Sequence, residues 1–226
     1  MIVVGLGRIG TTFLRADPTA LGVRRGQPIP DVSGPILVCT RNDELATLLP
    51  TLPRPEDHVL IQNGALPCDT PTRGLLYFAV RGIGSPPEPG PPSIFTGPHS
   101  RTIIAALATI GLHGVEMSRG EFQREWAIKL SWNAVFGLLG DTFDEPVGRS
   151  LARAQLSTLC GELAVVLAVP SPVLFERLVG YSSTIPTYRA SLKEPAYRNG
   201  WLLAEARRLG VPTPLHESLC NARGVY

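Results

Sequence analysis

Cysteine is scarce in this sequence and long apolar runs are missing, and each shortage argues against a class of protein. The four cysteines, Cys39, Cys68, Cys160 and Cys220, are far apart and form no C-x-x-C pair. Neither a zinc site nor a disulfide framework is therefore indicated, and we expect reduced thiols and no bound metal. Residues 2–4 already have the character of a strand, with no signal peptide or membrane span around them. We expect a cytoplasmic protein without a membrane partner.

Excess charge of either sign is also lacking. The chain has 21 Lys and Arg against 19 Asp and Glu, a formal net charge of +2. A balance of this kind gives no electrostatic reason to expect nucleic acid or an anionic membrane as the main partner. What is present is apolar material: 44% of the 226 residues are hydrophobic, enough for the core of one large domain or two small ones.

The N-terminus has the pattern of a dinucleotide-binding loop. An apolar strand is followed by G-x-G-x-x-G and then by the start of a helix. In this pattern Gly5 permits the tight turn, Gly7 lets the backbone approach a pyrophosphate, and Gly10 lets helix and strand pack closely. A glycine-rich strand end can be merely structural, but the strand-loop-helix context favours a nucleotide site. The predicted cofactor-binding residues of this loop are Gly5, Leu6, Gly7, Arg8, Ile9 and Gly10.

The segment after this loop departs from the pattern. A second strand ending in Asp or Glu is expected about 20 residues on, to hold the ribose hydroxyls. Residues 15–35 contain no convincing strand, only the short run LGVRRG at residues 21–26. Arg24 and Arg25 are candidates for contacts to a phosphorylated ribose, which would favour NADP over NAD. The alternative is that both are solvated surface arginines.

The rest of the first half alternates strands with helices, as in a parallel sheet. Arg41 and Asn63 lie at the carboxyl ends of two of these strands, where such sheets bind ligands. The predicted strands cover residues 35–40, 58–62, 74–81, 93–97 and 115–118, and the predicted helices residues 44–52 and 101–112.

After Gly120 the pattern changes to helices alone. The predicted helices cover residues 121–140, 147–169, 172–180 and 194–209. We therefore predict an α/β protein in which a Rossmann-like dinucleotide-binding domain, residues 1–119, is followed by an all-helical substrate and catalytic domain, residues 120–226. The cleft between such domains is the expected site.

The helix at residues 121–140 is apolar almost all the way round, yet it contains Lys129 and Asn133. A spacing of four places both on one side, and Gly137 continues the stripe with bare backbone. A lysine in apolar surroundings has a lowered pKa, which suits it to giving and taking protons. The alternative is that Lys129 lays its stem on apolar surface and keeps its ammonium in water.

With the glycine loop, Asn63-Gly64 and the K-x-x-x-N pattern of Lys129 and Asn133 in hand, the chain resembles the ketopantoate reductase family. These NADPH-dependent enzymes reduce 2-ketopantoate to pantoate. The resemblance implies that Lys129 is the proton donor, that Asn133 and Asn63 bind substrate, and that Asn63 also contacts the cofactor. A further family signature matches Glu194 followed by Asn199-Gly200, and implies that Glu194 contacts the cofactor.

Several positions depart from the family pattern and make this chain a shortened, divergent member. Arg41 stands where the family usually has a cofactor-binding lysine. Gly137 and Val147 stand where the family has asparagines that hold substrate. The substrate serine of the family falls on no single residue. Its candidates are Ser182, Ser183, Thr184 and Thr187.

The expected function is hydride transfer from NADPH to a 2-oxo acid or related carbonyl, a small-molecule substrate that need not be ketopantoate. The resemblance also implies a homodimer. One alternative is a relative that has lost hydride transfer and serves as a ligand-binding or assembly protein, and the abbreviated segment before residue 35 is its main support. A third reading is an enzyme that reduces amino-acid imines.

Overall fold

The computed structural model describes residues 1–66 and 70–225 of the chain. It divides into two compact units, Met1–Phe122 and Gln123–Tyr226. Cys39, Cys160 and Cys220 are free thiols, whereas Cys68 lies outside the described residues. In the described part of the chain, no helix is long and apolar enough to cross a membrane.

The first unit is built on one twisted sheet, as the strand and helix alternation predicts. Its strands are β1 (Ile2–Val4), β2 (Leu21–Val23), β3 (Ile36–Val38), β4 (His58–Leu60), β5 (Thr72–Leu75), β6 (Ser93–Thr96) and β7 (Gly114–Glu116). The order in the sheet is β2-β1-β3-β4-β5-β6-β7. Neighbouring strands are parallel except β5 and β6, which are antiparallel.

Helices cover both faces of this sheet, so its central strands are apolar on both sides. The helices are α1 (Arg8–Ala16), α2 (Asn42–Leu48) and α3 (Ser100–Ala108). Phe13 of α1 and Ile103 of α3 pack with Val3 and Leu37 on one face. Ile36 and other alternate strand residues pack on the other face with Leu45 of α2. Burial on both faces explains why these strands are continuous apolar runs.

The prediction that residues 15–35 lack a second strand was wrong. Strand β2 pairs in parallel with β1 over Leu21–Val23, at the edge of the sheet. Its signal is weak because it is three residues long and has a glycine in the middle. Gly22 has a packing role, since a Cβ there would lie 2.9 Å from Leu14 Cδ1 of α1. What this segment lacks is a helix, because residues 24–35 return from β2 to β3 without helix or strand.

The second unit is helical throughout its described elements, as predicted. Helix α4 (Arg119–Phe143) begins in the first unit and supplies the longest element of the second. The others are α5 (Val147–Ser150), α6 (Ala154–Val166), α7 (Ser171–Thr184), α8 (Asn199–Leu209) and α9 (Pro214–Ala222). Buried Leu138, Leu203, Cys220 and Val225 form one of its apolar clusters.

Two predicted elements differ from those observed, and one observed helix was not predicted. The single helix predicted for residues 147–169 is divided into α5 and α6 by a turn at residues 151–153. Helix α9 was not predicted, since its prolines mark an end, whereas Pro214 occupies the first helical position, where its missing N–H is tolerated. The strand predicted for residues 74–81 ends at Leu75 in β5.

Candidate functional site

The glycine loop joins β1 to α1, and each of its three glycines has a different environment. Gly5 has a φ of 92°, which favours glycine, and a Cβ there would lie 2.9 Å from Thr40 Cγ2. A Cβ at Gly10 would collide with the Gly5 carbonyl oxygen. A Cβ at Gly7 would meet no described atom within 4 Å. Gly5 and Gly10 are therefore required by the fold itself, whereas Gly7 leaves open space beside the start of α1.

The loop lies at a reversal of strand order. The chain runs from β1 to β2 on one side and then returns to β3 on the other side of β1. In open α/β sheets, ligands bind at the carboxyl ends of strands at such a switch point. Thr40, just after β3, has a buried hydroxyl with no hydrogen-bond partner among the described residues. The open backbone at Gly7, the N-terminus of α1 and this hydroxyl fit a dinucleotide phosphate.

The remaining residues of the loop contribute packing and backbone. Leu6 and Ile9 are half-buried and pack against the core on the α1 face of the sheet. Arg8 donates a hydrogen bond to the Val80 carbonyl oxygen at 3.3 Å, which ties the loop to the segment after β5. Any contact from Leu6 and Ile9 to a nucleotide would thus come from their main chain.

Three arginines follow β2 and β3 at their carboxyl ends. Arg25 is 86% exposed and pairs with Glu44. Arg41 is 72% exposed and its Nε lies 3.1 Å from Asp43 Oδ1. Arg24 is exposed as well. All three side chains are on the surface, and Arg25 and Arg41 are paired with acidic neighbours. They are therefore accessible to an anionic ligand.

Asn63 follows β4 and is held by a network of buried amides. Its carbonyl oxygen lies 3.5 Å from Nδ2 of Asn42, which is fully buried. Gln62 donates from Nε2 to the carbonyl oxygens of Val38 at 2.8 Å and Thr40 at 3.2 Å. Sequence reasoning did not select Gln62 as a site residue. Its signal is a polar residue adjoining a buried apolar run.

In the second unit, Lys129 has the environment that its helix predicts. Its ammonium group is desolvated, although part of the side chain is accessible. Burial, and then the positive charge of Arg198, lower the pKa of Lys129 from 10.5 to about 7. Asn133 donates from Nδ2 to the Lys129 carbonyl oxygen at 2.9 Å, which fixes its amide along the helix. A cation that titrates near neutral pH is suited to proton transfer.

Arg198 is a residue of this site that sequence reasoning missed. Its side chain is only 9% exposed, and it pairs at 3.7 Å with Glu194, which is 25% exposed. Glu194, predicted to contact the cofactor, is therefore beside Arg198, with its backbone in the left-handed region at a φ of 46°. The one sequence signal is a cation directly before Asn199-Gly200, at the start of an apolar helix.

Gly137 does not present the bare backbone that its position in the stripe predicts. A Cβ there would lie 2.9 Å from the Ser191 carbonyl oxygen, and one at Gly140 would collide with that of Ala190. Val147, the other position read as a lost substrate amide, is 1% exposed. Both positions therefore serve packing within the helical unit, and neither faces open space.

The serine candidates are likewise engaged locally. Ser182 is buried and its Oγ accepts a hydrogen bond from Trp132 Nε1 at 2.9 Å. Ser183 and Thr184 donate to carbonyl oxygens of their own helix. Among the described residues, no hydrogen bond to the Thr187 side chain is observed. No group of three metal-binding side chains occurs among the described residues either.

The fold as a whole is the Rossmann-like dehydrogenase fold with a helical C-terminal region. It is similar to the 2-dehydropantoate 2-reductase from Methylococcus capsulatus, with a TM-score of 0.74, 17% identity, and coverage of 99% of this chain and 95% of that one. The dimeric ketopantoate reductase from Staphylococcus aureus matches with a TM-score of 0.73, 13% identity and coverage of 96% and 95%. D-mandelate dehydrogenase with NADH and anilino(oxo)acetate matches with a TM-score of 0.74 and 13% identity, and the match covers 98% of this chain and 96% of that one.

No family model matches the sequence, and no curated protein sequence matches it either. The predicted resemblance to the ketopantoate reductases is thus confirmed at the level of the fold. At these identities the structural match carries no information on substrate or on the role of any side chain.

Proposed function

We propose that this protein is a nicotinamide-dependent reductase that acts on a 2-oxo acid or a related carbonyl compound, with Lys129 as its proton donor. The observation that carries the proposal is the desolvated Lys129 ammonium, whose pKa is lowered to about 7. A lysine that exists in both protonation states near neutral pH can give a proton to a developing alkoxide and recover it from water.

The first unit supplies a fitting cofactor cradle. The loop from Gly5 to Gly10 would hold the phosphates through backbone N–H groups, and Gly7 would leave them room. When bound, a reduced nicotinamide supplies the hydride. Arg24 and Arg25, after β2, and Arg41, after β3, are the cations available to a ribose 2′-phosphate, which favours NADP over NAD.

In the second unit, Lys129 places positive charge where an oxyanion develops and then donates its proton. Asn133, one turn further along α4, is oriented by its bond to the Lys129 carbonyl oxygen. Its role in the proposal is to hold the substrate beside Lys129. The other predicted contacts are Asn63, to cofactor and substrate, and Glu194, to the cofactor. Glu194 also forms an ion pair with Arg198.

The substrate is a carbonyl compound smaller or less polar than ketopantoate. Positions 137 and 147 offer no amide to a substrate hydroxyl, and packing prevents one from being accommodated at Gly137. Two kinds of similar structure act as guides: ketopantoate reductases, and D-mandelate dehydrogenase crystallised with NADH and an oxoacetate.

Titration of the purified chain with NADPH and NADH tests the cofactor half of the proposal. We expect either dinucleotide to raise the midpoint of thermal unfolding, because a ligand that binds only the folded state stabilises it. Turnover is then followed by loss of nicotinamide absorbance across a panel of 2-oxo acids, with ketopantoate and a cyclic imine included. No response to either dinucleotide would rule out the reductase.

A relative that binds ligands without catalysis would show dinucleotide binding and no turnover with any carbonyl. Its main support was the absence of a second strand, and β2 is present. A homodimer is a further part of the proposal, guided by the similar reductase described as dimeric. Sedimentation equilibrium of the full chain tests it, since a monomer at all concentrations would contradict it.

A further inference from the structure

A buried histidine, His216, joins three helices of the second unit. It is 1% exposed and lies in the first turn of α9. Its Nε2 is 3.1 Å from Nδ2 of Asn199, the first residue of α8, which is also buried. The same Nδ2 donates to the carbonyl oxygen of Ala134 in α4 at 3.1 Å. One amide group therefore connects α8 both to α4 and to α9.

The two contacts of the Asn199 amide determine the protonation of the histidine ring. A carbonyl oxygen can only accept a hydrogen bond, so the Asn199 atom next to Ala134 must be the NH2 nitrogen. That nitrogen has two hydrogens and cannot accept, and its second hydrogen is available to His216. Nε2 of His216 must therefore accept, which requires a neutral ring with its proton on Nδ1.

A positively charged ring does not fit this environment. Protonation would place a hydrogen on Nε2 against the NH2 group of Asn199, so that two donors face each other. Nδ1 is buried and has no hydrogen-bond partner among the described residues, so a charged ring would have two N–H groups without an acceptor. Unsatisfied buried donors are costly, and a buried charge is more so. Burial accordingly lowers the pKa of His216 from 6.5 to about 4.

The charged groups near His216 do not compensate for a charge on its ring. Glu162 of α6 accepts hydrogen bonds from two backbone N–H groups at the start of α9, that of His216 included. Glu217 of α9 pairs with Arg207 of α8, and its charge raises the pKa of His216 less than burial lowers it. Burial raises the pKa of Cys220 to about 11, so this thiol is neutral. The contact from α4 is an uncharged carbonyl oxygen.

We propose that His216 is an acid-sensitive latch: its neutral ring holds Asn199 on α4, and its protonation releases α8 and α9 from α4. The inference concerns the packing of three helices and does not depend on the proposed reduction. It predicts a contrast with His58, which is likewise buried. His58 Nε2 lies 3.0 Å from the Pro53 carbonyl oxygen, which can only accept, so Nε2 of His58 is protonated.

Proton–nitrogen correlation NMR of the full chain tests the ring of His216 directly, with its signals assigned through bonds to the backbone. We expect His216 to have its proton on Nδ1 at pH 7 and to stay neutral until the pH approaches its pKa of about 4. His58 is the buried control, with its proton on Nε2. A proton on Nε2 of His216, or a His216 ring that is half charged near pH 6.5, would overturn the proposal.

The stability of the helical unit gives a second test. All three tryptophans lie in the second unit, so urea unfolding followed by tryptophan fluorescence reports on it. Because the pKa of His216 is lowered by folding, the unfolded state binds the proton more readily, and stability is lost as the pH falls from about 6.5 to about 4. H216Q keeps an acceptor for Asn199 and does not titrate.

Between pH 7 and pH 4.5, we expect the unfolding constant to rise roughly 50-fold more in the parent than in H216Q. H113Q, at an exposed histidine of the first unit, is the matched control and should behave as the parent does. Equal pH dependence in the parent and H216Q would overturn the latch. If H216Q is unfolded at pH 7, the position of the proton on the parental His216 ring decides the question.

Release of α8 from α4 can be followed through Trp126 of α4 and Trp201 of α8, whose rings are in edge contact at 5.8 Å between centroids. Below about pH 4 we expect the parent to lose near-ultraviolet circular dichroism while the far-ultraviolet signal of its helices persists. H216Q should retain both signals at the same pH. Loss of both signals together, at the same pH in the parent and in H216Q, would be general acid unfolding and would contradict the latch.

Discussion

Glycines lie at close backbone approaches in both units, but they are used in opposite ways. In the first unit the loop from Gly5 to Gly10 leaves open space at Gly7, beside the N-terminus of α1. In the second unit, Gly137 and Gly140 of α4 are covered by the chain itself, through the backbone of residues 190–191. The backbone at Gly7 is open to a ligand, whereas the backbone at Gly137 and Gly140 is packed against another segment of the chain.

This difference separates the two halves of the proposed chemistry. In the proposal, the first unit recognises its ligand with backbone N–H groups, which need glycine and a helix N-terminus. The second unit is proposed to use the charged side chain of Lys129, which is desolvated. Gly137 and Gly140 bring the segment after α7 close to α4.

Substitutions within the glycine loop should have the largest effect on folding. Alanine at Gly10 would place a methyl group against the Gly5 carbonyl oxygen, so we expect G10A to lower the free energy of unfolding by roughly 3 kcal/mol or more. Urea denaturation measures this. G7A is the matched control, because its methyl group meets no described atom within 4 Å and its φ of −76° suits alanine.

G7A should unfold as the parent does and yet bind NADPH at least ~10-fold more weakly, since its methyl group occupies the approach of the pyrophosphate. If G7A binds NADPH normally, the open space at position 7 is not the phosphate site. If G10A is as stable as the parent, the close packing of helix and strand at this loop is wrong.

In the helical unit, Gly137 is the closely packed glycine and Gly180 is the matched control with open space around it. G137A would push against the backbone of Ser191, so we expect a loss of roughly 2 kcal/mol in unfolding free energy. G180A is in the interior of α7 with open space around it, and should gain up to about 1 kcal/mol from helix propensity. A stable G137N variant that reduces ketopantoate would contradict the packing role and show that position 137 contacts substrate.

Replacing Lys129 with methionine should stabilise the protein in a pH-dependent way. The pKa of Lys129 is lowered from 10.5 to about 7 in the folded state, so folding is opposed by its protonation below pH 10.5, and fully so below about pH 7. We expect K129M to raise the unfolding free energy by roughly 1–3 kcal/mol at pH 6, allowing for partial solvation, and by less than half of that at pH 10. A pH-independent difference would contradict a buried, titrating lysine.

The smallest expected effect concerns the exposed arginines after β2. The double variant R24A/R25A should lose about 1 kcal/mol of NADPH affinity, roughly fivefold, with NADH affinity unchanged, because only the 2′-phosphate differs between the two. Fluorescence titration measures both. R207A, in the second unit, is the control for the removal of one exposed positive charge, and it should leave the affinity for NADPH unchanged. An equal loss of affinity for NADPH and NADH would show that these arginines do not contact the 2′-phosphate.

Most of the fold could be predicted from the sequence, because the signals for its elements are local. Apolar runs bounded by polar residues predicted β3 and β4, and the G-x-G-x-x-G pattern predicted the turn into α1. Strand β2 was missed because Gly22 weakens a three-residue edge strand, although the same glycine is needed for contact with Leu14. Helix α9 was missed because proline marks both helix starts and helix ends.

Parts of the candidate site depend on contacts that are distant in sequence and could not be predicted. Lys129 and Asn133 follow from helical spacing within α4. The nearness of Arg198 to Lys129 requires the packing of elements nearly 70 residues apart, and the cover over Gly137 comes from Ser191. Helical periodicity indicates which residues share a face, but not which other segment occupies that face.

The kinetics of a Lys129 variant test the central claim most directly. NADPH oxidation by a 2-oxo acid is compared for the parent and K129M, alongside the affinity of each for NADPH. We expect kcat to fall ~10²–10⁴-fold in K129M with NADPH affinity unchanged, and parental kcat/KM to decline as pH rises through about 7, where Lys129 loses its proton. Normal turnover by K129M, with the parental pH profile, would contradict Lys129 as the proton donor.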